Sequence, residues 1–191
     1  MFNMTCREDI PEFLNSKNLI GYGAEVGVFR GDFSAEILKK WRGKKLYLID
    51  SWRYFNNEVD ISNVRWCGQV ANFSDTLFQT YKYAEKSTII RDLSLEAVRL
   101  FKDDFFDFVY LDAGHRFENV SADIREWYKK VKPGGYLMGH DYLDGTVLAG
   151  GLHPTLFEVK SAVDIFAFSN DLTVNVIPDL YPSWCIIKPP L

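Results

Sequence analysis

The chain has 191 residues, 47% of them hydrophobic and 16% aromatic, which is enough to bury one core of ordinary domain size. Its formal net charge is -4 and no block of consecutive Lys or Arg stands out, which argues against nucleic acid as a partner. No run approaches the ~18 apolar residues of a membrane span, the N-terminus carries charges where a secretory signal is apolar, and Cys6, Cys67 and Cys185 are odd in number and far apart, so a cytoplasmic protein with free thiols and no membrane partner is expected.

In chain order, Thr5 and Glu8 have capping-box spacing and predict a short N-terminal helix over residues 5–17, with Pro11 tolerated near its first turn. Strand-like and helix-like segments then alternate, the pattern of a doubly wound α/β fold with a mostly parallel sheet. Residues 24–28 form the first predicted strand; Asp32 opens a helix whose Phe33, Ile37, Leu38 and Trp41 share one face. Residues 46–49 and 88–90 are short apolar strands closing on Asp50 and on Arg91 and Asp92, with a helical stretch over 63–84 between them and an aromatic-rich loop before it. Residues 106–111 give the strongest strand signal, followed by a helix with Val120, Ile124, Trp127, Tyr128 and Val131 at helical spacing. Residues 136–139 form a fifth strand ending in His140 and Asp141; a Gly-rich loop over 143–154, containing His153, leads to a helix over 159–168, and a hairpin over 172–188 completes the single domain.

In an open parallel sheet, ligands bind at the carboxyl ends of the strands. Those positions here hold Glu25, Asp50, Asp92, Asp112 with His115, and His140 with Asp141. The first turn, GAEVGVFRG, lacks the GxGxxG spacing that lets a backbone approach a pyrophosphate, which disfavours a dinucleotide. A phosphate-free cofactor with an amino-acid end and a cationic sulfonium asks instead for close backbone at Gly27 and nearby carboxylates. Glu25 suits the amino group; Asp50, about 20 residues after Gly31, suits the ribose hydroxyls; Asp92 suits the adenine amino group.

ExGxxxG, LYLIDSW, RDLS, FDFVYLDAGH, KPGGYLMGHDY and VKSAVDIF together resemble the class I S-adenosylmethionine-dependent methyltransferases, and among them the compact O-methyltransferases that include macrocin-type sugar methyltransferases. The resemblance spans residues 23–168 and implies a seven-stranded sheet of order 3-2-1-4-5-7-6, strand seven antiparallel, with helices on both faces. It implies S-adenosylmethionine as cofactor, with Glu25, Gly27, Asp50 and Asp92 around it; Gly31, Ser51, Trp52, which could stack on adenine, and Asp112 complete the expected cofactor set. It implies a divalent ion, Mg or Mn, at Asp112, His140 and Asp141. Relatives often carry an acid where this chain has His140, and imidazole suits softer metals than the all-oxygen shell of Mg²⁺. His115 matches the place where some relatives keep a general base, with Asp112 beside it in the catalytic set.

The expected reaction is methyl transfer from S-adenosylmethionine to a hydroxyl of a small molecule, a sugar or glycan precursor by resemblance. A homodimer stays open. Two other readings stand beside it: a nicotinamide-dependent oxidoreductase, which the missing GxGxxG opposes, and a non-catalytic cofactor-binding module. Each residue also has a plainer role available: Asp50 and Asp92 as turn or helix caps, Trp52 as core, Asp112 and Asp141 as a metal-free polar pocket, and His153 as a loop residue that touches no substrate.

Overall fold

A computed structural model describes residues 4–56, 62–149 and 153–190, with only the backbone at Ala149 and His153. A 3₁₀ turn at Arg7–Asp9 leads into α1 (Ile10–Ser16), then come β1 (Tyr22–Val26), α2 (Asp32–Lys40), β2 (Lys45–Asp50), α3 (Trp66–Thr80), β3 (Ser87–Arg91), the short α4 (Ser94–Ala97), β4 (Phe106–Leu111), α5 (Phe117–Lys130), β5 (Val131–Gly139), β6 (Asp144–Ala149), β7 (His153–Glu158), α6 (Val159–Ser169), β8 (Val174–Ile177) and β9 (Ser183–Ile187).

The main sheet has the order β3-β2-β1-β4-β5-β9-β8. β1 to β5 pair in parallel, and β9 runs antiparallel to both β5 and β8, which is the expected seven-stranded α/β architecture. β4 is buried along its whole length because helices cover both faces of the sheet. Phe108 and Tyr110 pack with Ile10, Leu14, Phe33 and Ile37 on the α1–α2 side, while Val109 and Leu111 pack with Ile124, Trp127, Val159 and Val163 on the α5–α6 side. The one charged residue of β4, Asp107, is 5% exposed and accepts hydrogen bonds from the Gly21 backbone and Lys132 Nζ. Among the described residues no helix is long and apolar enough to cross a membrane.

Two local expectations are corrected. At the N-terminus Thr5 donates from N and from Oγ1 to Asp9 Oδ2, at 2.8 and 2.9 Å, so the capping acid is Asp9 and not Glu8, and the α-helix proper begins at Ile10. Pro11 is then in its first turn, where a missing N–H breaks no helical bond. The stretch read as a Gly-rich loop contains β6 and β7, paired antiparallel from Asp144↔Glu158 to Ala149↔His153. Long-range backbone pairing makes this arm, which no strand-like alternation announces, and Thr155 and Phe157 bury its inner face to 2% and 3% exposure.

Candidate active site

Above the carboxyl ends of β1, β2 and β4 lies a cavity of about 600 Å³, within the usual size of ligand sites. Val26, Gly27 and Ile49 line it from the strand ends, Asp50 and Ser51 from the end of β2, residues 93–96 from the end of β3, residues 112–116 from the end of β4, and residues 154–156 from the arm. Gly27 has φ +92°, and a Cβ there would stand 1.8 Å from the Asp112 carbonyl oxygen. Only glycine lets the β1–α2 turn come so near the end of β4. Gly31, at φ 82°, is the N-cap of α2.

Asp50 organises this rim. Its Oδ2 accepts from the backbone N–H groups of Val28 and Phe29, both at 2.9 Å, and its Oδ1 from that of Trp52 at 2.8 Å. Phe29 and Trp52 both have positive φ, 55° and 43°, a costly conformation for a bulky side chain, and the carboxylate holds both in place. Asp50→Ala is therefore expected to remove about 2 kcal/mol of stability and to weaken S-adenosylhomocysteine binding ten-fold or more, measured by denaturant unfolding and calorimetry.

The other expected cofactor residues separate. Ser51 lines the cavity, and its Oγ accepts from Arg53 N at 3.3 Å. Trp52 is fully buried: its Nε1 donates to the Phe29 carbonyl at 2.8 Å and its ring packs on Phe73, so it is a core residue with no face open to a ligand. Glu25 is 2% exposed, accepts a hydrogen bond from Ser34 Oγ on α2, and burial pushes its carboxyl up to about 8. Asp92 accepts from the N–H of Leu93 at 2.8 Å, and it is Leu93, Ser94, Leu95 and Glu96 that line the cavity there.

Sequence reasoning missed Asp123, which lines the cavity from α5. It accepts from Ser94 Oγ at 2.5 Å, which in turn accepts from Trp127 Nε1 at 2.8 Å. Burial pushes the Asp123 carboxyl up to about 6 from an ordinary 3.8, the Ser94 hydrogen bond opposing. A folded-state value above the unfolded one means that the associated stabilisation is complete below about pH 3.8 and is lost as pH rises through 6. Asp123→Asn, which keeps the acceptor and removes the titration, is expected to gain on the order of 2 kcal/mol over the unsubstituted chain at pH 8 and little at pH 4, read by denaturant unfolding at both.

Beside the cavity, Asp112, His115, His140 and Asp141 enclose a hollow of about 20 Å³, room for one water-sized guest. His115 Nε2 lies 3.0 Å from Asp141 Oδ2 and His140 Nδ1 lies 3.2 Å from Asp141 Oδ1. Burial alone would raise the Asp141 pKa, but the two imidazoles outweigh it and hold the carboxyl well below its ordinary range. For Asp112 burial wins: its pKa rises, with His140 opposing and Asp141 adding. Arg7 reaches in from the N-terminal turn, its Nη1 3.5 Å from Asp112 Oδ2, a counter-charge that sequence reasoning missed. One ligand atom each from Asp112, His115 and Asp141 lie within 4.8 Å of one another, and His140 Nδ1 lies 3.8 Å from Asp112 Oδ1 as well as 3.2 Å from Asp141 Oδ1, so His115 joins the expected Asp112, His140 and Asp141. The His153 side chain lies outside the described residues.

A family model described as a methyltransferase domain matches residues 24–142, from β1 past the end of β5. The chain belongs to this methyltransferase family. Among curated proteins, none matches its sequence. Solved structures share the fold at low identity. An O-methyltransferase family protein from Burkholderia thailandensis has a TM-score of 0.67 and 13% identity over 96% of this chain and 55% of that one. An rRNA methylase from Streptococcus thermophilus has 0.64 and 12% over 99% of both chains, and an N-methyltransferase from Bradyrhizobium japonicum has 0.63 and 14% over 96% and 94%. The family implies S-adenosylmethionine as the methyl donor, and the glycine turn fits that cofactor: its backbone approaches the β4 end, with acidic groups around it and no phosphate loop.

Proposed function

We propose that this methyltransferase moves the S-adenosylmethionine methyl group to a hydroxyl of a small molecule, with Asp112, His115 and Asp141 holding a divalent ion beside the acceptor. The observation that carries the reading is the shared wall: Asp112, Gly114, His115 and Asp123 line both the large cavity and the small hollow. A hydroxyl at that wall lies within reach of the imidazole and both carboxylates, the groups that O-methylation needs and that a more nucleophilic amine does not.

When bound, the ion lowers the pKa of the acceptor hydroxyl. Two carboxylates and an imidazole suit Mn²⁺ better than Mg²⁺. The chain's own contribution is alignment and proton handling. Asp141 fixes the His115 ring through Nε2 and Phe157 packs against that ring at 4.6 Å between centroids, which leaves the imidazole one further nitrogen. With the ion bound that nitrogen would be its ligand; without it, the same nitrogen would accept the hydroxyl proton as the oxygen–carbon bond forms and the carbon–sulfur bond breaks to leave S-adenosylhomocysteine. Asp50 and Ser51 bind the nucleoside end. A small molecule, sugar-like by the resemblance to macrocin-type enzymes, fits a cavity roofed by the arm and a chain of net charge -4 better than a nucleic acid does.

The test is S-adenosylhomocysteine release with panels of hydroxyl and amine acceptors, with Mn²⁺ and with chelator. Release with hydroxyl acceptors that collapses on chelation is expected. Release only with amines would contradict the O-methyl assignment, and release indifferent to chelator would remove the ion.

A further inference from the structure

The large cavity is not uniformly acidic. Its acidic side chains, Asp50, Glu96, Asp112 and Asp123, fit the cationic cofactor, but Arg53 and Arg116 also line it. Arg116 is the N-cap residue of the 14-residue α5, at the positive end of that helix. Its nearest carboxylate, Glu158, stands 4.0 Å away, and the Glu158 carboxylate also accepts from Phe117 N at 3.1 Å, so it neutralises Arg116 only in part. Among the described residues Arg53 has no ion-pair partner. From the arm comes an independent sign of a ligand. Thr155 lines the same cavity, is 2% exposed, and its Oγ1 has no hydrogen-bond partner among the described residues. A buried hydroxyl left unpaired is destabilising, and a ligand oxygen placed against it would remove that cost. Two guanidinium groups, a helix N-terminus and an unpaired hydroxyl favour the same chemistry, an oxyanion.

We infer that the acceptor carries an anionic group, phosphate or carboxylate, bound by Arg53, Arg116 and the Thr155 hydroxyl, while its neutral hydroxyl faces His115. The inference rests on the methyl-transfer reading above. It narrows the acceptor class to phosphorylated or acidic hydroxyl compounds and gives the arm a purpose, since β7 supplies Thr155.

The experiment uses the intact chain saturated with S-adenosylhomocysteine and titrated in a calorimeter, at one ionic strength, with glucose, glucose 6-phosphate and glucuronate, which share a hydroxylated ring. At least one charged compound is expected to bind ten-fold or more tighter than glucose, and the stronger of the two names the anion. In the R53Q/R116Q double variant that preference is expected to fall within threefold of glucose. Glucose binding as tightly as both charged compounds, no binding of any of the three, or a preference that survives the double variant would overturn the inference. The loading step separates the two levels: a chain that takes up no S-adenosylhomocysteine refutes the methyltransferase reading and this inference with it, whereas a loaded chain that ignores charge refutes the anionic acceptor alone.

Discussion

Gly27→Ala is expected to abolish measurable S-adenosylhomocysteine binding and to cost about 3 kcal/mol of stability. Two effects add at this position. The φ of +92° lies in the region an L side chain rarely adopts, and the new Cβ would meet the Asp112 carbonyl oxygen at 1.8 Å, the Asp112 carbonyl carbon at 2.3 Å and the Ala113 nitrogen at 2.7 Å. All three are backbone atoms, so no rotamer change relieves the clash and either the β1 turn or the end of β4 must move. Movement there breaks the hydrogen bond from Asp112 N to the Val26 carbonyl, 2.7 Å long, and shifts the Asp112 carboxylate out of the His115–Asp141 group. Calorimetry and denaturant unfolding read the two effects separately. Affinity within threefold of the unsubstituted chain would mean that the cofactor does not sit on this turn.

His115→Ala is expected to lower kcat at pH 7 by about 100-fold or more, with S-adenosylhomocysteine affinity changed less than threefold, because loss of a positioned general base typically costs two to four orders of magnitude. The imidazole is held on one edge by Asp141 and packed against Phe157, an oriented group next to the cavity wall. Binding of Mn²⁺, followed by electron paramagnetic resonance, divides its two proposed roles. Loss of Mn²⁺ together with turnover identifies a ligand, and retained Mn²⁺ with lost turnover identifies the base. Full turnover would exclude both.

Much of this architecture is legible in the residues because it rests on local pattern. The apolar run of β4 announces a strand buried on both faces, and the acids at the strand ends mark the rim on which Asp50 and Asp112 are found. What escapes is decided by tertiary contact. The α3 stretch shows helical periodicity but not which side faces in. Its buried residues are Gln69, Asn72, Thr76 and Thr80, while Trp66, Leu77 and Phe78 are exposed. The polar side is inward because it serves the strained turn: Thr76 Oγ1 donates to the Phe29 carbonyl and Asn72 Oδ1 accepts from Arg30 Nε. Trp52, next to Asp50, is placed for a ligand by sequence yet is fully buried, since its indole N–H finds the Phe29 carbonyl. The arm escaped because glycines and a proline read as loop, although its inner residues pair across a hairpin and bring Thr155 and Phe157 over the site. That His115 joins His140 beside the two carboxylates depends on side-chain direction across two loops, and spacing along the chain carries no information about that.

Titration of the purified chain with S-adenosylhomocysteine and, separately, with NAD bears most directly on the cofactor assignment. The glycine turn and its acidic rim predict one S-adenosylhomocysteine site per chain with a dissociation constant on the order of micromolar, about -8 kcal/mol, and no heat from NAD. Tight NAD binding without S-adenosylhomocysteine binding would contradict it.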